Sequence, residues 1–268
     1  MKNHRLYGKA PYTVAVIHGG PGAAGEMAPV AEELSKTSGV VEPLIYGTSI
    51  SAQVSELNNT IKANALPPVT LVGYSWGAWI GIIFAARYPG LVGKLVLVSC
   101  GPLEEIYAGN IMSTRLRRLN AREQREARAL LKTIESAGPG NNKALKRFGS
   151  LISKADSYKP LKISGLPLNA SRDVYRKVWK EGAALRCSGG LLKTAAKLLC
   201  PVTVIHGSYD PHPFEGVRKP LSRVNKGVKY FRITRCGHTP WLEKYAKTRF
   251  YGILEREIGS MEQAISKI

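Results

Sequence analysis

Aspartate is scarce in this chain. Among 268 residues only Asp156, Asp173 and Asp210 occur, and all acidic residues number 19 against 39 Lys and Arg, a net charge of +20. Any chemistry that needs an aspartate therefore has three candidates. The four cysteines, Cys100, Cys187, Cys200 and Cys236, form no C-x-x-C pair, which argues against a thiol redox motif. They read as reduced thiols. The apolar run near the start, before His18-Gly19-Gly20, is only about five residues long, too short for the core of a secretory leader. A cytoplasmic protein is the expectation. No repeat of 20–50 residues is found, and the 27 glycines follow no period, which excludes solenoids and collagen-like chains.

The chain also lacks an unbroken membrane span. Ala63 to Ala86 carries no charge, but Pro67-Pro68 and Gly73-Tyr74-Ser75-Trp76-Gly77 interrupt it. It reads as a strand buried on both faces, a turn, and an apolar helix. Missing too are G-x-G-x-x-G and G-K-[ST], so the glycines at 19–25 do not read as a phosphate cradle.

With 44% apolar residues, a core of useful size forms. Short apolar runs alternate with amphipathic ones. Strands are expected at Thr13–Ile17, Val40–Tyr46, Val69–Tyr74 and Lys94–Ser99, with helices at Met27–Lys36, Ala52–Ala65 and Trp76–Tyr88. Pro43 would demote its strand to a sheet edge or a bulge. Residues 103–200 carry no convincing strand. They show helical runs near 104–118, 121–136, 142–154 and 171–198, and a Gly-Pro-Gly loop at 138–140. Strands return at Pro201–His206 and Lys229–Thr234, followed by a helix near Pro240–Ile258. This order implies a mostly parallel α/β sheet of about six strands. Residues 1–102 and 201–268 then form the core and 103–200 an inserted helical cap. The insert holds 20 basic and 8 acidic residues, so most of the positive charge lies there. That charge reads as a solvated surface, or as a surface for an anionic partner. No nucleic-acid-binding signature accompanies it.

Gly73-Tyr74-Ser75-Trp76-Gly77 fits G-x-S-x-G and sits between a buried strand and an apolar helix. That is the setting in which a serine is pushed out on a tight turn as a nucleophile. A serine hydroxyl needs a base. Of five histidines, His238 follows the last strand, at the sheet edge that also carries Ser75. His206 and His18 end strands and read as structural, His212 as a surface residue, and His4 as part of a loose terminus. The base needs a carboxylate to hold its tautomer. Asp210, four residues beyond the strand PVTVIH, is favoured, with Glu104 or Glu105 as the rival. His18-Gly19-Gly20-Pro21-Gly22 follows a strand and can turn backbone N–H groups toward an oxyanion. Gly20 and Trp76 are the expected donors, with Gly19 the close alternative. Trp179, Trp241 and Gly19 are candidates for substrate contact. Trp79 reads as core. A metal site drawn from His206, Asp210, His212 and Cys236 matches no standard spacing, and neither metal nor organic cofactor is expected.

HGGPG at 18–22, GYSWG at 73–77, GSYD at 207–210 and CGHTPW at 236–241 resemble the α/β-hydrolase superfamily, and in particular its proline iminopeptidase-like branch. The resemblance covers about 1–102 and 201–268. It implies an α/β-hydrolase fold, with the family's first two strands missing or vestigial, and a catalytic triad of Ser75, Asp210 and His238. Two-step acyl transfer on a small carboxylic ester or amide follows, an esterase being favoured. The D-x-R-G-x-G-x-S stretch common in iminopeptidases is absent, and Leu44–Ser49 stands in its place. A basic cap would sooner favour a neutral or anionic acyl substrate than a free amine. The rival readings are an aminopeptidase of the iminopeptidase type and a non-catalytic protein of this fold that binds an anion or nucleic acid. The oligomeric state is left open.

Overall fold

The computed structural model describes residues 3–136, 142–161 and 169–265, with side chains described to Gly259 and not at 169–170. In chain order the elements are β1 (His4–Tyr7), β2 (Tyr12–Ile17), β3 (Ala23–Ala24), α1 (Ala28–Leu34), β4 (Gly39–Pro43), α2 (Ile50–Asn64), β5 (Val69–Tyr74), α3 (Trp76–Arg87) and β6 (Val92–Val98). Then come α4 (Ile111–Arg117), α5 (Ala121–Glu135), α6 (Asn142–Asp156), β7 (Asn169–Ala170), α7 (Arg172–Cys187) and α8 (Gly190–Ala195). The chain closes with β8 (Val202–Gly207), α9 (Glu215–Val224), β9 (Lys229–Ile233) and α10 (Lys247–Ile265). The Gly-Pro-Gly loop at 138–140 lies outside the described residues.

Seven strands form one sheet in the order β1-β4-β2-β5-β6-β8-β9. All neighbours run parallel except β1, which is antiparallel to β4. The extra strand is His4–Tyr7, in the segment expected to be loose. It pairs His4 with Pro43 and Tyr7 with Val40. β4 is therefore not an edge. Pro43, which has no N–H to give, ends the strand instead.

The inner strands are continuously apolar because both faces are covered. On one face Ala15, Ile17, Leu71, Leu95, Leu97 and Val204 meet α2, α3, α8 and α9. On the other, Val14, Val16, Val72, Val96, Val98 and Ile205 meet α1 and α10. The two-residue alternation of a strand produces this division. A separate cluster, including Leu116, Ala127, Ile134, Phe148 and Leu151, holds α4, α5 and α6 together.

Two further elements differ from expectation. The short β7 pairs with β3, so residues 103–200 do contain a strand contact. α9 carries Pro220 in its interior, a breaker signal that hides it in the sequence. The carbonyl that Pro220 leaves unserved is that of Gly216, and the N–H of Leu103 bonds it at 3.0 Å. At the chain's end a short turn at Pro240–Leu242 precedes α10, which starts only at Lys247.

The strand order reverses between β2 and β5, whose connections leave on opposite sides. In open α/β sheets a crevice forms at such a switch point, beyond the carboxyl ends of the strands. His18 follows β2 and Ser75 follows β5, so both flank that crevice.

Candidate active site

Ser75 has φ +51°, a left-handed conformation rare for a residue with a side chain. The glycines on either side make this turn possible. A Cβ on Gly73 would lie 2.4 Å from the carbonyl oxygen of Gly77, and one on Gly77 would lie 2.5 Å from that of His18. The turn is pinned by the N–H of Ser75 on the Val98 carbonyl at 2.9 Å. Helix α3 begins at Trp76, so the Trp76 N–H stands at the end of the helix, where no preceding turn supplies a carbonyl.

His238 Nε2 lies 3.0 Å from Ser75 Oγ, and His238 Nδ1 lies 2.8 Å from Asp210 Oδ2. The ionised carboxylate accepts, so Nδ1–H donates to it and Nε2 is left to accept the serine hydroxyl. Glu104 and Glu105, the rival acids, face elsewhere: Glu104 pairs with Arg223 and Glu105 with Arg186.

Asp210 holds more than one histidine. Its Oδ1 accepts both the backbone N–H and Nδ1–H of His212, each at 2.9 Å. His206 Nε2 stands 3.5 Å from Oδ2 and donates to the His212 carbonyl at 2.9 Å. His212, expected at the surface, is thus buried, with its ring 4.6 Å from that of His238. Burial alone would raise the Asp210 carboxyl, but the imidazoles outweigh it and hold it well below the usual range. Burial opposes charge on His238, yet Asp210 prevails and raises its pKa. On His212 burial wins, and its pKa falls to about 4. His212 is neutral near pH 7, with Nδ1–H on Asp210 and Nε2 unprotonated.

The loop that carries His238 is tied down. Its N–H bonds the Asp156 carbonyl at 2.9 Å. The Asp156 carboxylate is gripped by Arg115 through Nε at 2.8 Å and Nη2 at 2.6 Å. The buried carboxylate of Glu243 accepts the N–H groups of Gly237, Tyr158 and Lys159 at 3.0, 2.7 and 2.7 Å. Sequence alone assigned Arg115, Asp156, Glu243 and His212 no place beside His238. The available signals were a charged residue beside the apolar pair Trp241-Leu242, and a histidine two places from the scarce Asp210.

On the glycine side, the ring nitrogens of His18 take the Gly19 carbonyl at 2.8 Å and the Ile45 N–H at 3.2 Å. Burial lowers the pKa of His18. Gly19 gives a backbone hydrogen bond to Glu26, whose carboxyl burial pushes up to about 7. A Cβ on Gly19 would strike Tyr74 and Glu26. Gly20 has φ +29°.

A cavity of about 190 Å³ opens beside Ser75. It is lined by Trp76, Trp79 and Trp179, by Ile111 and Met112 of α4, and by Arg115, Arg186 and His212. Trp76 is held by Nε1–H on Gln53 Oε1 at 2.8 Å, and Trp79 by Nε1–H on the Gly101 carbonyl at 3.1 Å. Trp79, expected to serve only the core, also lines this wall and stacks on Trp179 at 6.2 Å and 7°. Trp241 corrects the opposite expectation. It is fully buried against Tyr74 and Phe250, on the far side of the sheet from α3, and does not line the Ser75 cavity.

Among the described residues, Asp210, His212 and His238 form the one group that offers metal-ligand atoms within 4.8 Å of one another. Here each Nδ1–H donates to the Asp210 carboxylate, that of His212 to Oδ1 and that of His238 to Oδ2. Gathering these groups on an ion would break those bonds. Among the described residues no helix is long and apolar enough to cross a membrane.

Comparison with solved structures places this chain beside VinJ at TM-score 0.70 and 17% identity, covering 96% of this chain and 94% of that one. E-2-(acetamidomethylene)succinate hydrolase is similar at TM-score 0.64 and 16% identity, with 96% and 94% covered. Proline iminopeptidase from Mycobacterium smegmatis follows at TM-score 0.63 and 17% identity, with 98% and 95% covered. At these identities the likeness is one of fold. A comparison with curated protein sequences found no match. The family model described as alpha/beta hydrolase fold matches residues 46–245, which take in the glycine-flanked serine, the helical insert and the histidine loop. By that match and by its sheet, the chain belongs to the alpha/beta hydrolase fold family.

Proposed function

We propose that this protein is a serine hydrolase acting by two-step acyl transfer on a small carboxylic ester. The observation that carries the reading is the unbroken line from Ser75 Oγ through both nitrogens of His238 to Asp210, with links of 3.0 and 2.8 Å. Ser75 attacks the carbonyl carbon while His238 Nε2 takes its proton. Asp210 holds the tautomer and stabilises the imidazolium. His238 returns the proton to the leaving group, and the acyl-enzyme is then hydrolysed by water activated at the same nitrogen.

The oxyanion is assigned to the N–H groups of Gly20 and Trp76. The bond from Gly19 to Glu26 supports Gly20 over Gly19. The Trp76 N–H lies at the positive end of α3. Each such donor contributes about 3 kcal/mol to the transition state. The helices α4 to α8 act as a cap whose underside shapes the acyl pocket. Among the described residues lining that cavity none is Asp or Glu, so no lining carboxylate recognises a free amine. That favours an esterase over an aminopeptidase.

A fluorophosphonate probe tests the assignment, together with hydrolysis of p-nitrophenyl esters and amino-acid β-naphthylamides. Labelling at Ser75, ester turnover and loss of both in Ser75→Ala are expected. Full ester turnover by Ser75→Ala would refute the reading.

A further inference from the structure

The polar side chains in the wall of the cavity beside Ser75 are unevenly paired. Arg186 is nearly buried, its side chain 10% exposed. It spends only Nε on a partner, Glu105 Oε2 at 2.7 Å. Glu105 does not line the cavity, and its side chain is 49% exposed. The Arg186 guanidinium lies 5.6 Å from the centroid of the Trp79 ring, which does line it. Both Nη groups of Arg186 are without a protein partner among the described residues. Arg115 repeats the pattern. Its Nε and Nη2 grip Asp156, which is buried outside the cavity lining, and Nη1 is left over. The lining thus holds two guanidinium groups oriented by carboxylates behind them and, among the described residues, no carboxylate of its own.

An arginine fixed through Nε presents a planar pair of N–H donors, which matches a carboxylate in two parallel hydrogen bonds. A buried guanidinium with unused donors is also the costly arrangement that a bound anion relieves. The rest of the wall is mostly apolar, with Trp76, Trp79, Trp179, Ile111 and Met112 among its residues. Resting on the serine-hydrolase reading for the reacting end, we propose that the acyl group carries its own carboxylate. Its chain lies along the tryptophans, and its far end pairs with Arg186, with Arg115 adding positive potential. The substrate class is the monoester of a short dicarboxylic acid.

The test compares mono-p-nitrophenyl adipate with p-nitrophenyl hexanoate, esters of equal chain length that differ in the terminal carboxylate, each corrected for spontaneous hydrolysis. The wild-type protein is expected to favour the adipate by at least tenfold in kcat/KM at low salt. Arg186→Gln should reduce that ratio at least tenfold, and Arg186→Lys, which keeps the charge but loses the planar fork, should retain part of it. Equal or better turnover of hexanoate by the wild type overturns the proposal, and that comparison stands even where a variant does not fold.

A binding measurement separates this proposal from the one beneath it. In Ser75→Ala, the tryptophan fluorescence of the cavity should respond saturably to monomethyl adipate, and at least tenfold more weakly to dimethyl adipate. Selective binding with no turnover of any ester by the wild type would sink the hydrolase assignment and keep the carboxylate site. Turnover without carboxylate preference, or equal binding of the two methyl esters, would do the reverse.

Discussion

In the proposed mechanism His238 is the base and must be neutral to act, and Asp210 raises its pKa above the ordinary histidine value. Activity is therefore expected to be low in acid and to rise with pH through a limb lying above 6.5. His212, lowered to about 4, stays neutral across that range and adds no second limb there. Asp210→Asn removes the charge that raises His238. The limb should move to lower pH while kcat falls about 10⁴-fold. A pH–rate profile in which the limb stays in place would contradict this. His212 makes its own prediction. Its ring N–H is one of the bonds on Asp210 Oδ1, and losing a bond to a charged group costs about 1.5–3 kcal/mol. His212→Ala should lower kcat by about ten- to a hundredfold, and His212→Asn, which keeps a donor, should recover part of it. Sequence alone named Ser75, Asp210 and His238, whose side chains lie within hydrogen-bond reach of one another in line, because one sits in a glycine pattern, one is among three aspartates, and one follows the last strand. It misplaced His212 at the surface. The two prolines around it read as exposed loop, and nothing local says that a four-residue connection folds back onto His206.

The turn between β5 and α3 shows why some elements are readable and others are not. A Cβ at Gly77 would lie 2.5 and 2.6 Å from the carbonyl oxygens of His18 and Ile17, backbone that cannot swing aside. Gly77→Ala should therefore destabilise the fold by about 1–3 kcal/mol and sharply reduce fluorophosphonate labelling. Gly149, inside α6, is the control, since a Cβ there meets nothing within 4 Å. Gly149→Ala should raise stability by up to about 1 kcal/mol in chemical denaturation. A tolerated Gly77→Ala would remove the packing argument for the turn. A steric need of this kind leaves glycines at fixed places, so it is visible in sequence. The face a residue takes on a short turn does not. Trp241 lies two residues before Glu243 and could have faced either way. The grip of Glu243 on three N–H groups and the contact with Tyr74 turn it into the core beneath the sheet. Similarly, β1 is short and half polar, and becomes a strand only because β4 offers it an edge.

At the scale of the whole molecule the question is what a net charge of +20 does. With 39 basic residues against 19 acidic ones, 20 positive charges remain in excess however the pairs are arranged. The segment 103–200, which supplies Arg115, Trp179 and Arg186 to the cavity, carries +12 of that total. Such a field raises the encounter rate with an anion and fades with salt, since the screening length is about 10 Å at 0.1 M. A bond made by Arg186 within the cavity is screened much less. The two effects can be separated. As NaCl rises from about 0.01 to 0.5 M, kcat/KM for mono-p-nitrophenyl adipate should fall severalfold, while that for the neutral hexanoate stays nearly level. In Arg186→Gln the adipate value should start lower and still fall with salt, because that substitution removes the local contact and only one of the 20 excess charges. If the salt response vanished with Arg186 alone, the distributed charge would have no part in capturing substrate. If adipate and hexanoate responded alike, salt would be acting on the protein itself, not on the approach of an anion.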